Sequence, residues 1–473
     1  MAAEKGAGAA EKGAGAAEKC AEQPVGATGA GAAEKCAEQP VGATGAGAVE
    51  KCAEQPVGAA AAGTAEKGAE QPVGATGAGA AEAPAADTPS ELAVRQMLAV
   101  RSGTRPEDWH LTFKARQAMR VACDAIAAAG GREVATQLFT CCTAVDPITS
   151  AGLVPRFCDI DPDTLAIPAA LAGEPSAVML QHTCGLMASA ADAALASAAH
   201  ARGAVVLEDC AHCVGRLATD AEGKPFADLS FHSFGVEKML PTHFGGAVWV
   251  NPEFAATPLG ADVIARLEAL PVLGTRRAKA ARHYLNQIRV LNHLPAGISH
   301  ALRRRLTASG AFEPAIGEIE LAGGLASGPE RPGDWVCDTA RAALAGLDAN
   351  EAQRREAVAA YCEEFADVAG VSVPAAAFAG EAQPLLRFPV FLEDTERADV
   401  AIKSVRAAGL YAVAWYREPL FPGVTKPEAY GWDGTLAAWP KTARACEGAV
   451  SLPTDVAPER AREVAHLVIE AAR

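Results

Sequence analysis

A chain of 473 residues is longer than one hydrophobic core usually serves, so two packed domains plus a tail are expected. Half of its residues are hydrophobic, enough for a sizeable core, and a formal net charge of -15 sets the summed field against nucleic acid and anionic membranes. It contains no apolar run of about 18 residues and no apolar segment behind Met1-Ala2-Ala3-Glu4-Lys5, so a cytoplasmic protein with no membrane or nucleic-acid partner is expected.

The first 86 residues carry a repeated block, Glu-Lys-Cys-Ala-Glu-Gln-Pro-Val-Gly, starting at Glu18, Glu34 and Glu50 and in altered form at Glu66. Its Gly, Pro, Ala, Glu and Lys content offers no large side chain to bury, so ordering entropy goes unrecovered and a disordered tail is expected over 1–86. Of the thirteen cysteines, Cys20, Cys36 and Cys52 fall at equivalent repeat positions, which points to reduced thiols rather than a disulfide framework. The folded body then begins near Thr88.

From there short apolar runs alternate with helical stretches, the pattern of a mainly parallel sheet flanked by helices. A helix is expected over Arg116–Ala129, and strands over Glu133–Phe139, Val154–Ile160, Ala177–His182, Ala204–Asp209, Leu229–Phe234 and Gly246–Val250. A helix over Ala188–Ala201 completes a βαβ unit. The stretch 252–306 reads as helical without a sharp motif, and a Gly/Pro-rich segment, 323–333, leads to a broken helix over Cys337–Phe365. A strand at Leu385–Phe391, a helix at Arg397–Ala408, a strand at Tyr411–Trp415 and a helix at Glu459–Ala472 follow. The expected organisation is an α/β protein with a large cofactor-binding domain over 87–335 and a smaller α+β domain over 336–473.

Two segments carry chemistry: Val206-Leu-Glu-Asp-Cys-Ala-His212, and Ser233-Phe-Gly-Val-Glu-Lys238 followed by Gly245-Gly246. Each lies at the end of an expected strand, where ligands gather in open α/β sheets. A carbonyl cofactor on a pyridinium ring needs an amine to form an imine and an anion to keep the ring nitrogen protonated. Lys238 and Asp209 are suited to these two tasks. A neutral Lys238 amine can also shuttle a proton. A cofactor phosphate needs the N-terminus of a helix and a hydroxyl, for which Lys114-Ala115-Arg116 and Ser233 are candidates.

In their order these residues resemble the DegT/DnrJ/StrS aminotransferases, which are mostly nucleotide-sugar enzymes. The family shows a strand ending in Glu-Asp-x-Ala-Gln/His, then Asp before Ser-Phe-x-x-x-Lys, then Gly-Gly. This chain has Glu208-Asp209-Cys210-Ala211-His212, Asp228, Ser233-Phe234, Lys238 and Gly245-Gly246. The stretch 151–165 and the tail pieces Leu386-Arg387-Phe388-Pro389 and Leu452-Pro453-Thr454 extend the likeness.

The resemblance implies pyridoxal 5'-phosphate held as a Schiff base on Lys238, Asp209 at the pyridine nitrogen, and His212 near the ring or its phenolic oxygen. It also implies Ser233 at the phosphate, with Ala115 and Arg116 beside it, and a homodimer. Three departures stand out. Ala115 replaces the glycine of the phosphate loop, Cys141 falls where an aromatic residue covers the ring, with Phe139 two residues away, and the partner-reaching loop is not recognisable over 252–327. Asn286 and Asn292 are the asparagines available there.

Each of these residues has an ordinary reading too. A lysine after a strand is commonly solvated surface, Asp209 could cap a helix, and His212 could be a packing residue. Asp228 is expected to hold a turn, and Gly245 and Gly246 to satisfy positive φ. Arg387 could meet a substrate carboxylate, and Trp415 and Tyr416 could line the substrate mouth or simply pack. Cys210-x-x-Cys213 lacks a second paired motif, so no metal site is expected. The expected function is transfer of an amino group from an amino-acid donor to a keto acceptor, with a nucleotide-linked keto sugar as a candidate acceptor. Elimination, decarboxylation or racemisation on the same cofactor, and a non-catalytic regulatory role, are the alternatives.

Overall fold

A computed structural model describes residues 87–473, so the repeats expected to be disordered lie outside the described residues. Its main sheet has seven strands: β1 (Trp109–Thr112), β2 (Glu133–Gln137), β3 (Val154–Cys158), β4 (Ala177–Gln181), β5 (Val205–Asp209), β6 (Leu229–Ser233) and β7 (Gly246–Val250). They are ordered β1-β7-β6-β5-β4-β2-β3. The run from β6 to β3 is parallel, while β7 is antiparallel to both β6 and β1. The expected α/β architecture is therefore present, with each of the six anticipated strands within two residues of its expected ends. Every residue of β4, β5 and β7 is buried, the burial expected of strands covered on both faces.

Helices in the first part of the chain are α1 (Pro89–Ser102), α2 (Ala115–Ala128), α3 (Cys142–Ser150), α4 (Ser189–His200), α5 (Pro252–Ala255), α6 (Pro258–Glu268), α7 (Thr275–Asn292) and α8 (Ala296–Ala308). Helix α2 buries Ala118, Met119, Val121, Ala122, Ala125 and Ile126, one apolar stripe at helical spacing, against the sheet. Its first turn is closed by Gln117, whose side-chain oxygen accepts the Lys114 backbone N–H at 3.3 Å. Gly246 lets β7 approach that turn, since a Cβ there would lie 2.4 Å from the Ala115 nitrogen, and Gly245 takes φ +112°. The Gly-Gly pair thus serves one positive φ and one close approach.

Later come α9 (Asp334–Leu344), α10 (Leu347–Phe365), α11 (Thr395–Ala407), α12 (Pro440–Gly448) and α13 (Pro458–Ala472). They surround a second sheet, ordered β10-β9-β8, of β8 (Val371–Ser372), β9 (Arg387–Leu392) and β10 (Ala449–Pro453). Gly346 falls at the break between α9 and α10. Tyr411–Trp415 is not the strand its apolar alternation suggests. Only Val413 bridges, exchanging hydrogen bonds with Ser451 at 3.1 and 2.8 Å, and the following aromatic pair turns toward the end of the main sheet instead of continuing the ladder.

Candidate active site

Asp209 ends β5, Ser233 ends the neighbouring β6, and Lys238 follows on the turn beyond, so all three stand at the carboxyl edge of the parallel run. Glu237 adopts φ +59°, a left-handed conformation that is uncommon for a non-glycine residue, immediately before the lysine. The Lys238 amine makes no hydrogen bond or ion pair among the described residues. The centre of the Trp415 ring is 5.8 Å from it. Burial pushes its pKa down, against the opposing pull of Cys141, Asp209 and Glu237. Burial pushes the Asp209 carboxyl up, while the Ala211 N–H it accepts at 2.9 Å and the Lys238 charge draw it back. Amine and carboxylate therefore share one field, as the sequence requires.

His212 lies against the same surroundings. Its Nδ1 accepts the Cys184 backbone N–H at 3.0 Å, which assigns the proton to Nε2, 3.4 Å from the Tyr416 hydroxyl. Burial, with Lys238 and Arg387 adding to it, holds the imidazole well below its ordinary pKa, so the ring is neutral. It stacks on Trp415 at 5.5 Å between centres, with 13° between planes.

At the other end, α2 brings its N-terminus to the Gly245-Gly246 turn. The Arg116 guanidinium is committed to Glu320 at 2.7 Å and to the Ala315 carbonyl at 3.0 Å. Lys114 is likewise paired with Glu313 at 2.7 Å. Ala115 and Arg116 thus offer the end of a helix, and the Arg116 side chain is held by the 313–320 segment. The Ser233 hydroxyl accepts the Gly235 N–H at 3.2 Å. Of the two asparagines, Asn292 is bonded to Arg303 at 2.6 Å and Asn286 faces outward on α7.

Behind this edge, His182 Nε2 and Glu208 Oε1 are 2.8 Å apart, and Glu208 also accepts from Ser230 and from the Ala218 N–H. Burial alone would depress His182, but the Glu208 hydrogen bond, with Cys213 and Asp192, raises it to about 10. Ligand atoms of His182, Glu208 and Cys210 lie within 4.8 Å of one another, with the Glu208 carboxylate already satisfied by its three donors. Asp228 does more than hold a turn: it accepts the Val206 N–H at 2.8 Å and pairs with His200 at 3.0 Å, fixing the start of β5.

The second sheet and its loop complete the site. The Tyr411 hydroxyl donates to Glu237 Oε1 at 2.9 Å, tying the 411–421 segment to the lysine turn. Tyr416 packs edge-on against Phe139 at 5.5 Å, and Phe421 lies 5.8 Å from Tyr416. Cys141 precedes α3, where its neighbours Cys142 and Thr143 and the Lys238 charge draw its thiol below the usual value despite burial. Arg387 carries its guanidinium 5.0 Å from the Tyr411 ring centre and 5.8 Å from that of Trp415.

The structure thus brings Lys238, Asp209 and His212 together, with Ser233 on the adjoining strand end. The Glu237–Tyr411 bond and the acidic pair Glu313 and Glu320 were missed by sequence reasoning, because nothing local to those residues points to their partners. A buried amine without a hydrogen bond and a carboxylate with a single backbone donor are the groups a protonated pyridine carrying a carbonyl would satisfy, so the ring end fits that cofactor.

Known proteins resemble this chain in sequence or in fold. A pleiotropic regulatory protein of Geobacillus stearothermophilus is 32% identical over 140 residues, which is 27% of this chain and 37% of that protein; the match thus spans little more than a third of that relative. The structure of DesI with its TDP-sugar product aligns at 23% identity and TM-score 0.57, covering 82% of this chain and 86% of DesI. Spr1654 of Streptococcus pneumoniae, described as a putative sugar aminotransferase and solved in its PLP form, aligns at 17% identity and TM-score 0.58 over 82% of this chain and 92% of its own. The two structural likenesses establish the fold. The model of the DegT/DnrJ/EryC1/StrS aminotransferase family matches residues 112–261 and 334–471, more than half of the chain and the parts that carry every residue just described at the lysine, and the chain belongs to that family.

Proposed function

We propose that this chain is a pyridoxal-phosphate-dependent aminotransferase that takes an amino group from an amino acid and delivers it to a keto acceptor, a nucleotide-linked keto sugar being the preferred class. The observation that carries the reading is the Lys238 amine, held without a hydrogen bond in the same desolvated pocket as Asp209. Pyridoxal phosphate, when bound, supplies a ring that takes up the electron pair released at the substrate carbon bearing the amine. Asp209 would hold the charge on the ring nitrogen. Lys238 Nζ, biased toward neutrality by burial, would accept a proton at the substrate carbon and return it. His212, neutral and fixed by Cys184, would present its Nε2–H toward the ring. The α2 N-terminus at Ala115 and Arg116, with Ser233, would receive the phosphate.

The structures named above, one holding a TDP-sugar product and one solved with PLP, support both the cofactor and the acceptor class. Homodimerisation is part of the same reading and is measured by sedimentation of the full chain. For the reaction itself, protein saturated with pyridoxal phosphate should be yellow. L-glutamate alone should bleach that band with release of 2-oxoglutarate, and a nucleotide-linked keto sugar should restore it. Consumption of the amino acid without amine transfer would favour elimination or decarboxylation instead.

A further inference from the structure

The residue before the lysine is held where its own backbone would not settle. A side chain with a Cβ is disfavoured at the φ of +59° that Glu237 adopts, and such a conformation persists where neighbours hold it. A neighbour that does so reaches over from the second sheet, 174 residues on: the Tyr411 hydroxyl donates to Glu237 Oε1 at 2.9 Å. Burial, with Glu237 beside it, pushes the Tyr411 hydroxyl up, so it stays a donor. Tyr411 is itself anchored. Its ring centre is 5.0 Å from the Arg387 guanidinium and 5.8 Å from that of Arg406, and Arg406 Nε donates to the Ala412 carbonyl at 2.9 Å. Val413, two residues on, exchanges hydrogen bonds with Ser451 of β10. On the other side of the bond, Glu237 is exposed while the Lys238 amine is desolvated. The Glu237 carboxylate pulls on that amine together with Cys141 and Asp209, against burial and Arg116.

We propose that Glu237 is a positioning residue for the reaction: clasped by Tyr411, it lets the second sheet hold the lysine turn in the geometry that delivers the Lys238 amine to the cofactor carbonyl. This rests on the aminotransferase reading and deepens it, since the segment that closes one side of the site also aims the residue that carries the cofactor. The clasp aims the amine through the backbone, and the Glu237 charge acts on it through space.

The test uses the full chain with Glu237→Gln, Glu237→Ala, Tyr411→Phe and the Ala/Phe double variant. Gln keeps an acceptor for the Tyr411 hydroxyl and removes the charge; Phe keeps the charge and removes the bond. The rate at which added pyridoxal phosphate develops its visible band should match wild type in the Gln variant. It should fall roughly tenfold in the Ala and Phe variants, and no further in the double variant, because both remove the same bond. Methylation of Lys238 by formaldehyde and cyanoborohydride, read by mass spectrometry on cofactor-free protein, gives the pH midpoint of its amine. That midpoint should drop by roughly half a pH unit in the Gln and Ala variants, less at high salt, and stay at the wild-type value in the Phe variant. The other groups facing the amine, namely Cys141, Asp209, Arg116, Cys184 and His212, are the same in every variant. Wild-type loading in Tyr411→Phe, effects of Ala and Phe that multiply in the double variant, or a Gln midpoint equal to wild type would each overturn the proposal. A change confined to the melting temperature would do the same, leaving Glu237 a purely structural residue. If wild type takes up no pyridoxal phosphate, the aminotransferase reading falls, and the methylation midpoints, which need no cofactor, still decide whether Glu237 acts on Lys238.

Discussion

The Lys238 amine and the Arg387 guanidinium face one indole: each lies 5.8 Å from the centre of the Trp415 ring. A lysine from the main sheet's edge and an arginine from the second sheet thus approach the same side chain. The lysine is biased toward its neutral form by burial.

Replacing the lysine should abolish chemistry and leave the fold. Lys238→Met removes an amine that makes no hydrogen bond, so thermal stability should remain near wild type. Amino transfer should fall by roughly a thousandfold or more, as expected when an enzyme loses the nucleophile that carries its covalent intermediate. Circular dichroism melting and a coupled transferase assay check the two halves separately.

Asp209→Asn keeps the shape of the side chain and its acceptor for the Ala211 N–H, and removes the charge. The variant should still take up pyridoxal phosphate, with kcat lowered by roughly a hundredfold or more because the ring nitrogen is no longer held protonated. An unchanged kcat would remove Asp209 from the role assigned to it.

The His182–Glu208 pair makes a prediction about pH. The folded His182 value of about 10 lies above the ordinary 6.5, so its stabilisation is complete below about pH 6.5 and drains away as pH rises through 10. Glu208 is held below its ordinary 4.5 by His182 and its other donors despite burial, so its share is present above pH 4.5 and lost on acidification. The melting temperature of His182→Gln should therefore fall furthest below wild type near pH 6 and approach it toward pH 10.

Arg116→Ala tests the helix end. Glu320 is 2% exposed and would lose its cationic partner, so stability should drop by about 3–5 kcal/mol in denaturant unfolding. If the phosphate is met by the backbone of α2 rather than by this side chain, cofactor affinity in the folded fraction should change far less than stability does.

These contrasts also show which features could be read from the sequence. Asp209, His212, Ser233 and Lys238 were legible because each sits within three to five residues of a partner in its motif, at a strand end whose apolar run is plain in the chain. The strands themselves were legible for the same reason: β5 and β7 are short, apolar and bounded by turns. Tyr411–Trp415 misled because alternation describes a half-buried segment equally well when the side chains face a ligand site instead of a ladder. Arg116 looked like a phosphate ligand by position, but its partner Glu320 lies 204 residues on, and no local pattern reports such a pairing. The bond from Tyr411 to Glu237 became visible only when the second sheet was set beside the lysine turn.

The central claim is that Lys238 is the residue that holds the cofactor. Incubating the full chain with pyridoxal phosphate, reducing with borohydride and sequencing the modified peptide by mass spectrometry tests it directly. The account predicts a single adduct on the peptide containing Ser233 to Lys238, at Lys238, and none in Lys238→Met. An adduct on another lysine in wild type, or none at all, would contradict it.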